Sequence, residues 1–116
     1  MLQDDMRPDI KESDWRRFKK LHAVALERFC EQVLREVARA GADKSKTPHK
    51  RYLEVFRLIQ RRDRELADAF DDFRRSTAVR QLYIIRAYGL LTEAELSEFS
   101  PEVRGELEHL REFHRG

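Results

Sequence analysis

The sequence holds little of the material that builds loops, cross-links or membrane spans. Its 116 residues include 4 glycines, 3 prolines and one cysteine, Cys30. A lone cysteine excludes a scaffold of internal disulfides, and no apolar run approaches the roughly 18 residues that span a bilayer. The start, MLQDDMRPD, is acidic and lacks the apolar stretch of a secretory signal. We therefore expect a cytoplasmic protein that does not enter a membrane.

An excess of charge of one sign is also lacking, although charged residues are abundant. They make up 40% of the chain, yet 24 basic and 22 acidic side chains leave a net charge of only +2. Arg and Glu, together with the plentiful Leu and Ala, are strong helix formers. The composition predicts one all-α domain and argues against a sheet protein.

Residues 13–41 carry the pattern of a long first helix. Ser13 can cap its start, and Gly41 is expected to end it in the left-handed conformation. Residues 1–12 contain six charges and no helical period, so we expect a mobile tail before a single domain, 13–116. The apolar residues of the first helix recur at three- and four-residue spacing, as on one helical face: Trp15, Phe18, Leu21, Ala25, Phe29, Val33 and Val37.

A second long helix follows a short polar linker. Thr47 and Pro48 form a cap and first-turn pair, and the helix is expected to end near Asp71. Because the linker is short, the two helices are predicted to fold back as an antiparallel hairpin with their apolar faces against each other. The apolar face of the second helix consists of Tyr52, Phe56, Ile59, Leu66 and Phe70.

Three shorter helices are predicted after the hairpin. Ser76 or Thr77 caps the first of them, which ends at Gly89. Thr92 and Glu95 form a capping box for the second, and a Ser-Pro step opens the last. The predicted fold is a small helical bundle, in which a long antiparallel hairpin carries three shorter C-terminal helices.

Basic residues concentrate in two segments, 44–51 and 74–86, each with four cations and no acid. Five residues of the second segment are candidate contacts for an anion or a partner's carboxylate: Arg74, Arg75, Ser76, Thr77 and Arg80. Guanidinium groups and free N–H groups meet at such a helix start and attract anions. The alternative is that the protein's own acids, Asp71 and Asp72 among them, neutralise these arginines.

One acid falls on the apolar face of the second helix. Asp63 lies four residues after Ile59 and three before Leu66, which predicts a position facing the core. A buried carboxylate without a partner is strongly destabilising. We therefore predict a buried ion pair at Asp63, with Arg28 or an arginine at the start of the third helix. The alternative is a hydrated position at the edge of the face.

No motif in the sequence supplies the parts of an active site. Glycine motifs that bind phosphate and cysteine or histidine motifs that bind metal are absent, and Glu106 and His109 form a single E-x-x-H pair. We predict no catalytic residue, no metal and no cofactor. Cys30 is expected to be a small buried hydrophobe.

Two functions fit these features. The first is a non-enzymatic interaction or regulatory protein that binds a protein partner or itself as a homodimer, since its aromatic residues offer more apolar surface than one small domain can cover. The second is a nucleic-acid or phosphate-binding module that uses 44–51 and 74–86. We favour the first, because acids are interspersed with bases along both long helices, whereas nucleic-acid binders concentrate positive charge on one face.

Overall fold

Two long helices set the length of the molecule. The computed structural model describes residues 10–115, and this part of the chain forms five α-helices and no strand, which confirms the predicted all-α bundle. The first nine residues, most of the predicted tail, lie outside the described part. The helices are α1 (Glu12–Gly41), α2 (Pro48–Phe70), α3 (Ala78–Ala87), α4 (Glu93–Leu96) and α5 (Pro101–Arg115), with a 3-10 turn, Arg75–Thr77, before α3.

The start of α1 is fixed by a distant residue and not by a local cap. The helix begins at Glu12, and Lys11 precedes it without a side-chain capping bond, so the predicted cap at Ser13 is wrong. Arg75 donates to the Ile10 carbonyl at 2.6 and 2.9 Å and pairs with the Glu12 carboxylate at 3.0 Å. A tertiary contact therefore decides where the helix starts.

The two expected glycine stops behave differently. Gly41 is the last residue of α1, and the chain leaves the helix at Ala42 with φ −94°, so the predicted left-handed stop at Gly41 is wrong. Gly89 does adopt the left-handed conformation, with φ +72°. The N–H of Leu90 donates across it to the Ile85 carbonyl at 3.3 Å, a bond that typically accompanies a glycine-terminated helix.

Two other predicted helix starts are confirmed. The Thr47 hydroxyl accepts a hydrogen bond from the N–H of Lys50 at 3.2 Å, with Pro48 in the first turn of α2. At α4, the N–H of Glu95 donates to the Thr92 hydroxyl at 3.0 Å, and the N–H of Thr92 donates to the Glu95 carboxylate at 2.9 Å. The sequence predicts these helix starts correctly because the side-chain hydrogen bonds that define them are local.

The buried core lies at one end of the hairpin, which we call the core end. α1 contributes Phe18, Ala25 and Phe29, and α2 contributes only Ala69 and Phe70, in its last turn. α3 contacts α1, α2 and α5 there. The rest of the core comes from the chain after the hairpin: Ala78, Leu82, Ile85, Leu90, Leu96, Phe99, Val103 and Leu107.

Two polar contacts fasten α1 to the chain after α3. Arg28 donates to both oxygens of the Glu95 carboxylate at 2.8 and 2.9 Å and to the Leu90 carbonyl at 2.8 Å. These bonds lower the pKa of Glu95 to about 2. Asp14 is buried and accepts from the N–H and the hydroxyl of Ser100 at 2.9 and 2.6 Å. Together the contacts hold α4 and the start of α5 against α1.

The rest of the hairpin extends beyond the core end, and we call it the arm. It comprises residues 30–68, and no residue in this range is buried. The molecule measures 60 × 31 × 30 Å, an elongated shape that follows from the arm continuing past the core end. The arm is therefore two helices packed on each other without a third layer from the described chain.

Candidate functional site

The five residues predicted as anion or partner contacts do not gather into one site. Arg74 donates to the Asp72 carboxylate at 2.7 and 2.9 Å on the surface. Arg75 turns away to the start of α1, and Arg80 pairs with Asp68 of α2 at 3.8 Å. The protein's own acids engage these arginines, as in the alternative that the sequence left open.

Of the two hydroxyl residues in that set, one is exposed to solvent and the other forms hydrogen bonds within the chain. Ser76 is exposed. The Thr77 hydroxyl donates to the Asp72 carbonyl at 2.6 Å and accepts from the N–H of Arg74 at 3.2 Å. Thr77 stands at the N-cap of α3 but makes no side-chain capping bond. Its hydroxyl closes the preceding turn.

The two basic segments lie at opposite ends of α2. Segment 44–51 forms the turn between α1 and α2 and the first residues of α2, whereas 74–86 follows the end of α2. α2 has 23 residues, which corresponds to a length of about 34 Å. The segments therefore do not form one continuous basic surface.

The interior charge of the hairpin is Arg62 and not Asp63. Asp63 is exposed and forms no ion pair with another residue of the range 10–115, so the predicted buried pair at Asp63 is wrong. The Arg62 side chain is only 13% exposed, and its nitrogens lie 3.4 Å from the Glu36 carboxylate and 2.5 Å from that of Glu65. Its guanidinium carbon stands 4.6 Å from the centre of the Phe29 ring. The interior ion pair thus lies one position earlier in the helix.

The same shift of one residue applies along the arm portion of α2. The apolar spacing predicts that Phe56 and Ile59 face α1, but the residues just before them, Val55 and Leu58, are the half-buried ones. One residue turns a helix by about 100°. Three residues of the predicted apolar face are therefore turned to the side of the hairpin, where Tyr52 is 66%, Phe56 51% and Ile59 48% exposed. Its other two residues lie as predicted, since Phe70 is buried and Leu66 is half-buried against the core.

α1 contributes an apolar strip to the same side. Leu34, which was not part of the predicted face, is 63% exposed. Cys30, expected to be buried, is half-buried. The groove between the two helices has a volume of about 300 Å³, and its apolar lining includes Cys30, Val33, Leu34 and Val37 of α1 and Ile59 and Leu66 of α2. The charged residues Arg62 and Asp63 also line it. We call this groove, together with Tyr52 and Phe56, the arm face.

Charges of opposite sign lie at the two ends of the arm face. Toward the core end, the carboxylates of Glu27 and Asp63 are exposed and pair with no other described residue. At the turn between the helices, the side chains of Lys44, His49 and Lys50 are exposed and likewise have no partner within residues 10–115. Glu27 precedes Leu34 by two helical turns and so lies on the same side of α1. The arm face therefore runs from an acidic end to a basic end.

Comparisons with protein-family models, with curated proteins and with solved structures found no match. Across residues 10–115, no helix is both long and apolar enough to cross a membrane. In the same part of the chain, no three His, Cys, Asp or Glu residues are grouped so that they could hold a metal ion.

Proposed function

We propose that this protein acts by binding another protein through the arm face, and that this role involves no catalysis. The observation that carries the proposal is that the arm exposes large apolar side chains while none of its own residues is buried. Its residues, 30–68, include no buried one, while four large apolar side chains stand about half exposed or more on one side. Contiguous apolar surface of this kind marks interaction sites on soluble proteins.

Covering the arm face stabilises the arm as well as the complex. Isolated helices are marginal in water and gain most of their stability when an apolar face is packed. Each Å² of apolar surface removed from water contributes about 25 cal/mol. A partner on the arm face supplies the third layer that α3 supplies at the core end.

The charged groups of the arm hold its two helices in a defined geometry. Arg62 joins α2 to α1 through Glu36. At the turn, Arg51 donates to the Gly41 carbonyl at 2.9 Å, and the Lys46 ammonium pairs with the Glu54 carboxylate at 2.5 Å. A pre-formed surface loses less conformational freedom on binding, which favours affinity.

We extend the proposal to a cytoplasmic location. The Cys30 thiol is free and lines the groove of the arm face. A reducing compartment keeps such a thiol from forming disulfides, which suits a surface that must stay apolar to bind.

Photo-cross-linking in the cells that contain this chain tests the proposal. Benzoylphenylalanine replaces Leu34 in the groove or, as the control, Val24, which is 40% exposed and points to a different side of α1. We expect a covalent protein adduct from position 34 and little or none from position 24. Equal adducts from both positions, or none from either, would contradict the proposal.

Fewer observations support a nucleic-acid or phosphate ligand than support a protein partner. The basic segments 44–51 and 74–86 lie about 34 Å apart along α2, and all four arginines of the second segment engage the protein's own groups. Binding of mixed DNA or RNA that weakens steeply with added salt would favour this alternative.

A further inference from the structure

We infer that the occupant of the arm face is the arm face of a second copy of this chain, and that the two arms pack antiparallel as a four-helix bundle. This inference rests on the proposed function, because it names the partner of the same surface.

The shape of the arm fits this partner. A helix pair with one apolar side is half of a four-helix bundle, in which each hairpin covers the apolar side of the other. From Leu66 to Tyr52 the arm face is about 21 Å long, and two helices side by side make it about 20 Å wide. A face of this size covers about 420 Å² per partner, which is below the usual size of specific, stable interfaces and typical of a weak, reversible association.

The charges at the ends of the arm face select the antiparallel orientation. Residues 42–51 at the turn hold four cations and one acid. Two arms packed with their turns together bring two such cationic ends side by side, which is repulsive. The opposite orientation places each cationic turn beside Glu27 and Asp63 of the other copy, two exposed carboxylates that have no partner in the described chain.

A two-fold axis across the middle of the arm gives a specific pairing. In the sequence, Glu27 and Lys44 are each eight or nine residues from positions 35–36. An axis at that point therefore brings Glu27 of each copy next to Lys44 of the other. Such an isologous contact uses both apolar faces at once and closes at two copies. The two core ends then stand at opposite ends of the dimer.

Sedimentation equilibrium of the purified full chain, from about 1 to 500 µM, tests the partner. We expect a weak monomer–dimer equilibrium within this range of concentrations. Ile59→Lys introduces one charge into each half of the buried face, and we expect it to weaken the dimer at least about a hundredfold. Val24→Lys is the matched control, because it places the same charge on a different side of α1, and it should leave the constant unchanged. Circular dichroism must show equal helix content for both variants.

A charge exchange tests the orientation. Glu27→Lys and Lys44→Glu should each weaken the dimer by about fivefold, since each leaves like charges opposite one another twice per dimer. The double variant should restore the dissociation constant of the original chain. A purely structural role for either residue predicts no such rescue.

The outcomes separate this inference from the proposed function. A chain that is monomeric at about 500 µM overturns the second copy, as does a dimer that Ile59→Lys leaves intact. A dimer without charge rescue overturns the antiparallel orientation. If position 34 then still cross-links to a different protein, the proposed function stands alone. An adduct of twice the chain's mass from position 34 supports both, and the absence of any adduct overturns both.

Discussion

The core end and the arm are stretches of the same two helices, yet only the first is covered by other parts of the chain. Phe18 and Phe29 at the core end are 0% and 1% exposed, whereas Phe56 in the arm is 51% exposed. The difference is not a lack of apolar residues in the arm. It is the third layer: α3 packs on both helices at the core end, whereas along the arm the described chain adds contacts only at the edge next to the core end, such as the Arg80–Asp68 ion pair. Two helices alone bury too little to close a core.

The polar contacts of the core end and of the arm also differ. At the core end they join segments far apart in sequence, as Arg28 does with Glu95 and Asp14 with Ser100. In the arm the Arg62 contacts stay within the hairpin. We therefore expect the core end to unfold as one cooperative unit and the arm to open at a lower free energy.

The largest expected effect compares two phenylalanines. Phe18→Ala removes a ring with no exposed surface and should lower the free energy of unfolding by about 3–5 kcal/mol. Phe56→Ala, on the arm face, should change it by less than about 0.5 kcal/mol in the monomer. Urea unfolding followed by circular dichroism at about 1 µM protein measures both. Equal losses from the two variants would mean that the arm is part of the same core.

Two neighbouring residues of the arm give the next comparison. Arg62→Ala leaves the Glu36 and Glu65 carboxylates without their shared cation and removes the contact with Phe29, which should lower the free energy of unfolding by about 2–3 kcal/mol. Asp63→Ala should change it by less than about 0.5 kcal/mol, because that side chain is exposed. Thermal unfolding of both variants decides this. A larger loss from Asp63→Ala would reinstate the interior position that the sequence predicted for it.

The sequence predicts the elements of this fold better than their orientation. Helix starts with local side-chain bonds, at Thr47 and at Thr92, could be predicted because three or four neighbouring residues determine them. The start of α1 could not, since Arg75 fixes it from 63 residues away along the chain. A single sequence does not show which distant side chain reaches a helix end.

The sequence pattern does not predict the arm face, because in the arm the side of α2 that faces α1 is rotated by about 100° from the side that the pattern indicates. The apolar face of α2 is wide enough that its spacing fits either register, and Phe56 and Val55 are both apolar. The half-buried Arg62 decides between them, because its aliphatic stem and guanidinium fill the seam that the pattern assigned to Asp63. One signal was available: Cys30, Leu34 and Val37 repeat at helical spacing and indicate a second apolar strip on α1.

The next prediction concerns the strongest contact of the core end and its pH dependence. The Arg28 guanidinium, helped by the hydrogen bond from the N–H of Thr92, lowers the pKa of Glu95 from 4.5 to about 2. As the pH falls, the Glu95 carboxyl is therefore protonated in the unfolded chain before it is protonated in the folded chain. The contribution of the Arg28–Glu95 contact to the free energy of unfolding is complete above about pH 4.5 and is lost as the pH falls toward 2. Glu95→Gln should lower the free energy of unfolding at pH 7 by about 2 kcal/mol, a value reduced because the pair is partly solvated.

Urea unfolding between about pH 2 and 7 checks this prediction. The variant should lose stability less steeply than the original chain below pH 4.5, because it lacks the titrating carboxyl. Glu93→Gln is the matched control, since that carboxylate is 83% exposed. A variant that keeps the full acid slope would show that Glu95 does not carry it.

The smallest expected effect is a gain, and it lies in the best-covered part of the molecule. Gln81 of α3 is 0% exposed, and neither its amide nitrogen nor its amide oxygen has a hydrogen-bond partner among residues 10–115. An unpaired buried amide is destabilising, and an apolar residue of similar volume removes that cost. We expect Gln81→Leu to raise the free energy of unfolding by about 1 kcal/mol, measured by urea unfolding, while Gln60→Leu on the exposed side of α2 changes it little. A loss on Gln81→Leu would show that the amide makes contacts that stabilise α3, and the core end would then depend on polar packing as the arm does at Arg62.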